Sequence, residues 1–195
     1  MLAEMKHATN KVLIWSNEKI FTVEGFTNRQ NERFYAHNAG DLPKDSRSYL
    51  HHQKPGLIMV WATVASDGSK SPLILIDAGI KVNSEVYTEM LNEKVLLWVT
   101  ETFGDHYTFT QDGALAHISN LTQRRCKEHF SSFGVKLIWP PSNQDINPMD
   151  FATWSILERN VSACSYSNVS DLKKVLQSSW VMLDEEMVWR SHATQ

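Results

Sequence analysis

Four short runs constrain this chain more than anything else in it: Lys11 to Asn17 (KVLIWSN), Leu57 to Ala65 (LIMVWATVA), Pro72 to Asp77 (PLILID) and Tyr107 to Gln111 (YTFTQ). Each is apolar, rich in β-branched or aromatic residues, and too short for a helix. None alternates cleanly between apolar and polar, so each reads as a strand covered on both faces. A fifth run, Val135 to Trp139, follows before Pro140-Pro141 stops it. The first runs follow one another directly, the second and third joined by the turn residues Ser66-Asp67-Gly68-Ser69; the later ones alternate with helical periodicity. That order predicts an α/β fold, with a five-stranded mixed sheet, helices on both faces, and the first three strands as a meander.

The helices announce themselves by caps and spacing. Asn83 or Ser84 caps a helix running to about Phe103, with Tyr87, Leu91, Val95 and Trp98 on its apolar stripe. A second helix is expected from about Ser119 to Phe130. Pro148 suits the first turn of a third, which carries Asp150, Phe151, Trp154, Leu157 and Val161. The last starts near Ser170 and buries Leu172, Val175, Leu176, Trp180, Leu183 and Met187. Phe21 to Val23 and Arg33 to Ala36 are expected to pair as a hairpin, and Asn38 to Pro55 reads as a long surface loop.

Composition narrows the function classes. At 195 residues and 42% hydrophobic, residues 1–195 form one domain with material for a real core. Lys and Arg total 19 against 22 Asp and Glu, a net charge of −3, with no basic cluster longer than Arg124-Arg125 or Lys173-Lys174. A strong autonomous DNA binder normally carries a basic excess, so any grip on DNA must be weak, local or supplied by another segment. The longest apolar stretches, such as Leu57 to Ala62, are too short to cross a bilayer, and the opening MLAEMKHATN has no secretory core, so no membrane partner is expected. Cys126 and Cys164 form no CxxC pattern, which argues against a disulfide framework or zinc cluster and for an intracellular setting.

Three polar positions fall at informative places. Asn17 ends the first strand, Asp112 ends the fourth, and Asp150 opens the helix after the fifth. If the first and fourth strands are parallel neighbours, their ends lie about 5 Å apart, in the crevice where α/β sheets hold ligands. Two carboxylates there, Asp112 and Asp150, are candidate ligands for Mg2+, which takes hard oxygen donors. The bland alternatives are a turn acid before Gly113 for Asp112 and a helix-dipole partner for Asp150.

The motifs sharpen this. SNEKIF (Ser16 to Phe21), NRQNERFYA (Asn28 to Ala36), QDGALAH (Gln111 to His117) and WPPSNQDINPMD (Trp139 to Asp150) together resemble the mariner superfamily of DNA transposases, in order and over nearly the whole chain. The resemblance implies a ribonuclease-H-like fold, metal-dependent DNA strand cleavage and transfer with Mg2+ or Mn2+, a nuclear setting, DNA as partner and a homodimer. Its three catalytic acids fall on Asn17, Asp112 and Asp150, so the first position carries an amide. The 37 residues between Asp112 and Asp150, and the final Asp, resemble one branch of the superfamily. Leu115 and Asn143-Gln144 also depart from the family's pattern. The family's paired helix-turn-helix modules, which precede the catalytic domain, are expected to be absent.

An amide offers one neutral oxygen and cannot bridge two cations with negative charge. Glu18 is expected to aim away from the site unless the strand is bulged, since neighbours on a strand point to opposite faces. His117 reads as a DNA contact or as a group orienting an acid. Arg29 and Arg33, and Arg124 with Arg125, are candidate DNA contacts or plain solvated surface. Two readings stand: an impaired metal-dependent transposase domain, or a non-catalytic DNA-binding or dimerisation module derived from one.

Overall fold

Side chains alternate along β1 (Val12–Thr22), Leu13 and Trp15 entering one hydrophobic cluster and Ile14 the other. The structure is a computed structural model and describes residues 11–23, 38, 56–134, 147–162 and 166–184. β2 (Leu57–Ala65) repeats the alternation, with Ile58, Val60, Ala62 and Val64 on the first side and Trp61 and Ala65 on the second. With β3 (Ile74–Asp77) and β4 (Tyr107–Thr110) they form a sheet of order β3-β2-β1-β4. The three first strands are an antiparallel meander, and β4 lies parallel to β1. Gly68, at φ 97°, supplies the left-handed residue in the turn that follows β2.

Helices cover both faces. On one side, α1 (Ser84–Met90) runs through a π-helical turn at Leu91–Val95 into α2 (Leu96–Phe103), and α3 (Asn120–His129) packs beside them. They contribute Tyr87, Leu91, Val95, Val99 and Cys126 to the cluster around Trp61 and Phe109. On the other side, a π-helical turn at Met149–Thr153 leads into α4 (Trp154–Ser162), which packs with α5 (Val169–Val181). Their Trp154, Leu157, Leu172, Leu176 and Trp180 pack on Leu13, Trp15 and Val60. The caps are as the sequence implies: Asn83 Oδ1 accepts from the Val86 N–H at 2.9 Å, and Ser119 Oγ from the Thr122 N–H at 3.1 Å.

Both π-helical turns have one physical origin. The buried residues 87, 91, 95 and 99 repeat every four positions. On a helix of 3.6 residues per turn such a stripe drifts by about 40° at each step, and one widened turn resets it. Met149, Thr153, Leu157 and Val161 do the same. The stripe therefore ends on Val99 rather than on the expected Trp98, which is only partly buried.

One expectation needs adjustment, and two others fall on residues outside the described set. Asn17 does not end its strand: β1 continues to Thr22, and Asn17 sits opposite Ala62 of β2. Phe21 pairs with Ile58 of β2, and the expected hairpin arm, residues 33–36, lies outside the described residues. Four strands, not five, are present among the described residues, since residues 135–139 are not among them. Phe133 does form a parallel bridge with Phe109, so the chain approaches that fifth position along β4. Met187, Cys164 and the loop residues 39–55 also fall outside the described set. Among the described residues no helix is long and apolar enough to cross a membrane.

Candidate active site

The sheet is uneven at one end, and the candidate site lies there. β4 pairs with β1 only from Val12↔Tyr107 to Trp15↔Thr110, whereas β1 pairs with β2 as far as Thr22↔Leu57. Beyond Thr110 the chain leaves the sheet, and Asn17 and Glu18 pass an edge with no neighbouring strand among the described residues. Side-chain bonds fix this junction: Thr110 Oγ1 donates to the Ile14 carbonyl at 2.8 Å, and Ser16 Oγ to the Thr110 carbonyl at 3.1 Å.

Asn17 and Asp150 meet. Asn17 Nδ2 donates to Asp150 Oδ1 at 2.5 Å, while its Oδ1 accepts the Glu18 N–H at 2.9 Å. Asp150 is held in place by Asn147, a buried residue that sequence reasoning missed. Asn147 Nδ2 donates to the Ser16 carbonyl at 3.1 Å, its Oδ1 accepts the Met149 N–H at 3.1 Å, and its carbonyl accepts the Asp150 N–H at 2.9 Å. An Asn just before Pro148 was the available signal, because Asn-Pro starts turns whose side chain bonds the backbone two residues on. Burial raises the Asp150 carboxyl pKa and the nearby Asp112 charge raises it further, against the lowering effects of Asn17 and Lys19.

Asp112 reaches the other side of the sheet. Its Oδ1 lies 2.5 Å from His117 Nδ1 and accepts the Ala114 N–H at 3.0 Å. Burial pushes its pKa up, but the His117 hydrogen bond and charge and the Ala114 N–H outweigh that, leaving it below the ordinary value. His117 is 2% exposed and lies on Tyr87 with ring centroids 4.0 Å apart. It therefore sits beside Asp112. Gln111 braces it: Tyr87 Oη donates to Gln111 Oε1 at 2.9 Å, and Gln111 Nε2 to the His117 carbonyl at 2.8 Å.

Glu18 corrects a sequence inference. It does point to the face opposite Asn17, but it does not leave the site. Past the end of β4 the site straddles both faces, so Glu18, Asp112 and His117 each place one potential metal-ligating atom within 4.8 Å of the others. Glu18 Oε2 is buried with no hydrogen-bond partner and lies 3.9 Å from His117 Nε2. Burial raises the Glu18 pKa; the charge of His117 lowers it, and those of Asp112 and Asp150 raise it. An apolar cleft of about 410 Å³, lined by Glu18, Trp61, Lys81, Tyr87, Leu115 and His117 among others, opens beside it.

These shifts have opposite consequences for stability. The raised Glu18 carboxyl favours the folded state while protonated, so its contribution is lost as pH climbs from the unfolded value, about 4.3, through the higher folded one. The lowered Asp112 carboxyl stabilises above its unfolded value and loses that stabilisation as pH falls through the folded one. At neutral pH, without added metal, Glu18→Gln relieves an unpartnered buried carboxylate. The expected gain is about 1 kcal/mol, or roughly 2–4 °C in Tm, in a melting curve at pH 7; at pH 4 the gain should shrink towards zero.

The candidate basic residues divide. Arg124 and Arg125 are exposed on α3, Arg124 facing Glu128 at 3.9 Å and Arg125 facing His129 at 3.5 Å. Arg29 and Arg33 lie outside the described residues.

No established family model matches the chain. The Tc3 transposase of Caenorhabditis elegans is 26% identical over 180 residues, 90% of this chain and 50% of that protein. The Tcb2 transposase of Caenorhabditis briggsae is 32% identical over 126 residues, 64% of this chain and 43% of that protein. The chain thus spans about half the length of the curated relatives it matches. Among solved structures, a pre-cleavage Mos1 transpososome superimposes with TM-score 0.77 at 14% identity, over 97% of this chain and 54% of that one. The Mos1 paired-end complex with Mn gives 0.73 at 14% identity, over 92% and 51%. The Mos1 catalytic domain with raltegravir and Mn gives 0.68 at 14% identity, over 97% and 80%. At such identities the superpositions speak for the fold, and the sequence matches for descent. The chain is a homologue of the Tc3 and Tcb transposases, and its fold is the ribonuclease-H-like fold of the mariner transposase catalytic domain.

Proposed function

We propose that this chain is a metal-dependent DNA strand-cleavage and strand-transfer domain whose catalysis is strongly impaired by the amide at position 17. The observation that carries this reading is the bond from Asn17 Nδ2 to Asp150 Oδ1, beside the strand end that leads to Asp112. Asn17 and Asp150, far apart in sequence, meet at the sheet end where β4 stops two residues before Asp112, and the resemblance expects acids at these three positions. The remaining donors suit a hard divalent cation: Asp112 and Asp150 are carboxylates at the open sheet end, and both Asp112 hydrogen bonds use Oδ1, leaving Oδ2. A divalent ion held there would neutralise phosphate charge and activate an attacking oxygen. The residues themselves orient the carboxylates: Asn147 fixes Asp150, and His117 with Ala114 fixes Asp112. DNA is the expected substrate, a second copy of the chain the expected partner, and the nucleus the expected setting.

One observation favours the non-catalytic reading as the present state. Asn17 spends its N–H on an Asp150 oxygen that would otherwise face a cation. The test compares Mg2+- and Mn2+-dependent cleavage of nicked and duplex DNA by the native chain, by Asn17→Asp, and by Asn17→Asp combined with Asp112→Ala. Cleavage that appears with the first substitution and disappears with the second supports the proposal. Sequence-specific DNA binding by the native chain at physiological salt, with no cleavage by any variant, contradicts it.

A further inference from the structure

The turn after Asp112 presents an apolar side chain that neither the core nor the acids account for. Leu115 is 86% exposed, the most of any large apolar residue among the described ones. Its backbone is nevertheless pinned on both sides. Ala114 gives its N–H to Asp112 Oδ1 at 3.0 Å, and its carbonyl accepts the His117 and Ile118 N–H groups. The Ala116 carbonyl accepts the Thr122 hydroxyl at 2.7 Å. A lone exposed leucine needs no explanation, but Leu115 is not alone. It lines the cleft of about 410 Å³ together with Ile80, which is 52% exposed and held by its N–H on the Asp77 carbonyl at 3.2 Å. The rings of Trp61 and Tyr87 line the same cleft, and so does Lys81, which is exposed and in no ion pair among the described residues. Apolar walls, aromatic rings and an uncommitted cation are what proteins use to hold unpaired nucleotides: the base takes the apolar surface and the phosphate takes the cation. A leucine fixed at a turn tip is also the kind of side chain that wedges between base steps.

Position selects DNA among possible occupants. Leu115 stands three residues from Asp112, so their Cα atoms are at most about 11 Å apart. Successive nucleotides of one strand rise about 3.4 Å. A strand whose phosphodiester reaches Asp112 therefore sets a nucleotide within about three steps against Leu115.

We infer that this cleft receives one unpaired base of a DNA strand, with Leu115 as the wedge that parts it from its neighbour and Lys81 on its phosphate. The inference deepens the proposed function and rests on its DNA substrate, but it needs neither a bound ion nor cleavage. The pinned turn matters here, because a wedge already held in place loses little freedom on binding.

The test measures binding of the purified native chain, in chelator and at low salt, to fluorescein-labelled DNAs by anisotropy. The probes are a blunt duplex, the same duplex with a short unpaired tail, and that duplex with the tail made abasic. The unpaired tail should raise affinity about 10-fold over the blunt duplex, and the abasic tail should lose that gain. Leu115→Ser should lose it as well. Lys81→Gln should weaken binding to the tailed duplex and reduce the salt slope by about 0.7. Both side chains are exposed, so melting curves like that of the native chain are expected for the two variants. Equal binding of the three DNAs by the native chain, or no binding of any, would overturn the inference. A Leu115→Ser variant that keeps the preference for the tail would overturn it too; if its sedimentation also changes, the cleft seats a second copy of the chain instead. Because no cleavage is read, the proposed function stands or falls separately on cleavage by Asn17→Asp.

Discussion

Asn17→Asp should raise Mg2+- or Mn2+-dependent DNA cleavage by at least about 100-fold, while making the metal-free protein less stable. Both effects arise from one atom. Replacing Nδ2 by an oxygen removes the donor on Asp150 Oδ1 and puts two carboxylates at contact distance, with Asp112 already adding to the local negative charge. Without metal, that repulsion and the lost bond should cost about 1–3 kcal/mol, or roughly 2–12 °C in Tm. With millimolar Mg2+ the same three carboxylates become a ligand set, and the Tm deficit should close or reverse. The rate gain follows because even groups behind the direct ligands of a metal are worth about 10–100-fold, and a missing bridging carboxylate is worth more. A variant that melts like the native chain with and without Mg2+ would show that residue 17 does not face an ion site.

Trp154→Ala should be the most destabilising single substitution in the part of the fold that carries Asp150. Trp154 is 1% exposed and packs edge-on against Phe21, with centroids 6.3 Å apart, and against Trp180 at 6.0 Å. Its indole N–H has no hydrogen-bond partner, so the loss is one of packing alone. Emptying such a site costs about 3–5 kcal/mol, a fall of roughly 6–20 °C in Tm. Trp154→Phe should cost much less, because it keeps part of the volume and removes an unsatisfied donor. Since Trp154 opens α4 directly after the turn bearing Asp150, Trp154→Ala should also weaken any metal binding that depends on Asp150. Equal melting of Trp154→Ala and the native chain would mean that α4 does not anchor this face.

Which parts of this could be read without coordinates is itself informative. β2 was legible to the residue, because a strand buried on both faces must be apolar throughout and stops where Ser66 starts a turn. The Asn83 and Ser119 caps were legible because their chemistry is local. β1 was cut short at Asn17, because the chain turns polar there; its continuation to Thr22 depends on a partner strand 40 residues away. The π-helical turns were hidden behind ordinary i+4 spacing. Asp112 and Asp150 could be singled out by motif, but what sets Asp150 beside Asn17 is the Asn147 bond to the Ser16 carbonyl, which no motif announces. Glu18 could not be placed, because alternation along a strand gives a face and says nothing of where the neighbouring strand stops. β4 ends at Thr110, and beyond that edge Asn17 reaches Asp150 while Glu18 lies beside Asp112 and His117. Asn147 acts through a bond to the distant Ser16 carbonyl and Gln111 through one to the Tyr87 hydroxyl, and composition says nothing of those.

Crystals of Asn17→Asp soaked in Mn2+ give the most direct measurement, through the anomalous signal of the ion. The expected result is a peak about 2.1 Å from carboxylate oxygens of the substituted side chain, of Asp112 or of Asp150, with all three groups around one pocket. Coordinates that hold the 112 and 150 carboxyl groups in separate parts of the molecule, or no manganese peak near either, would contradict the account.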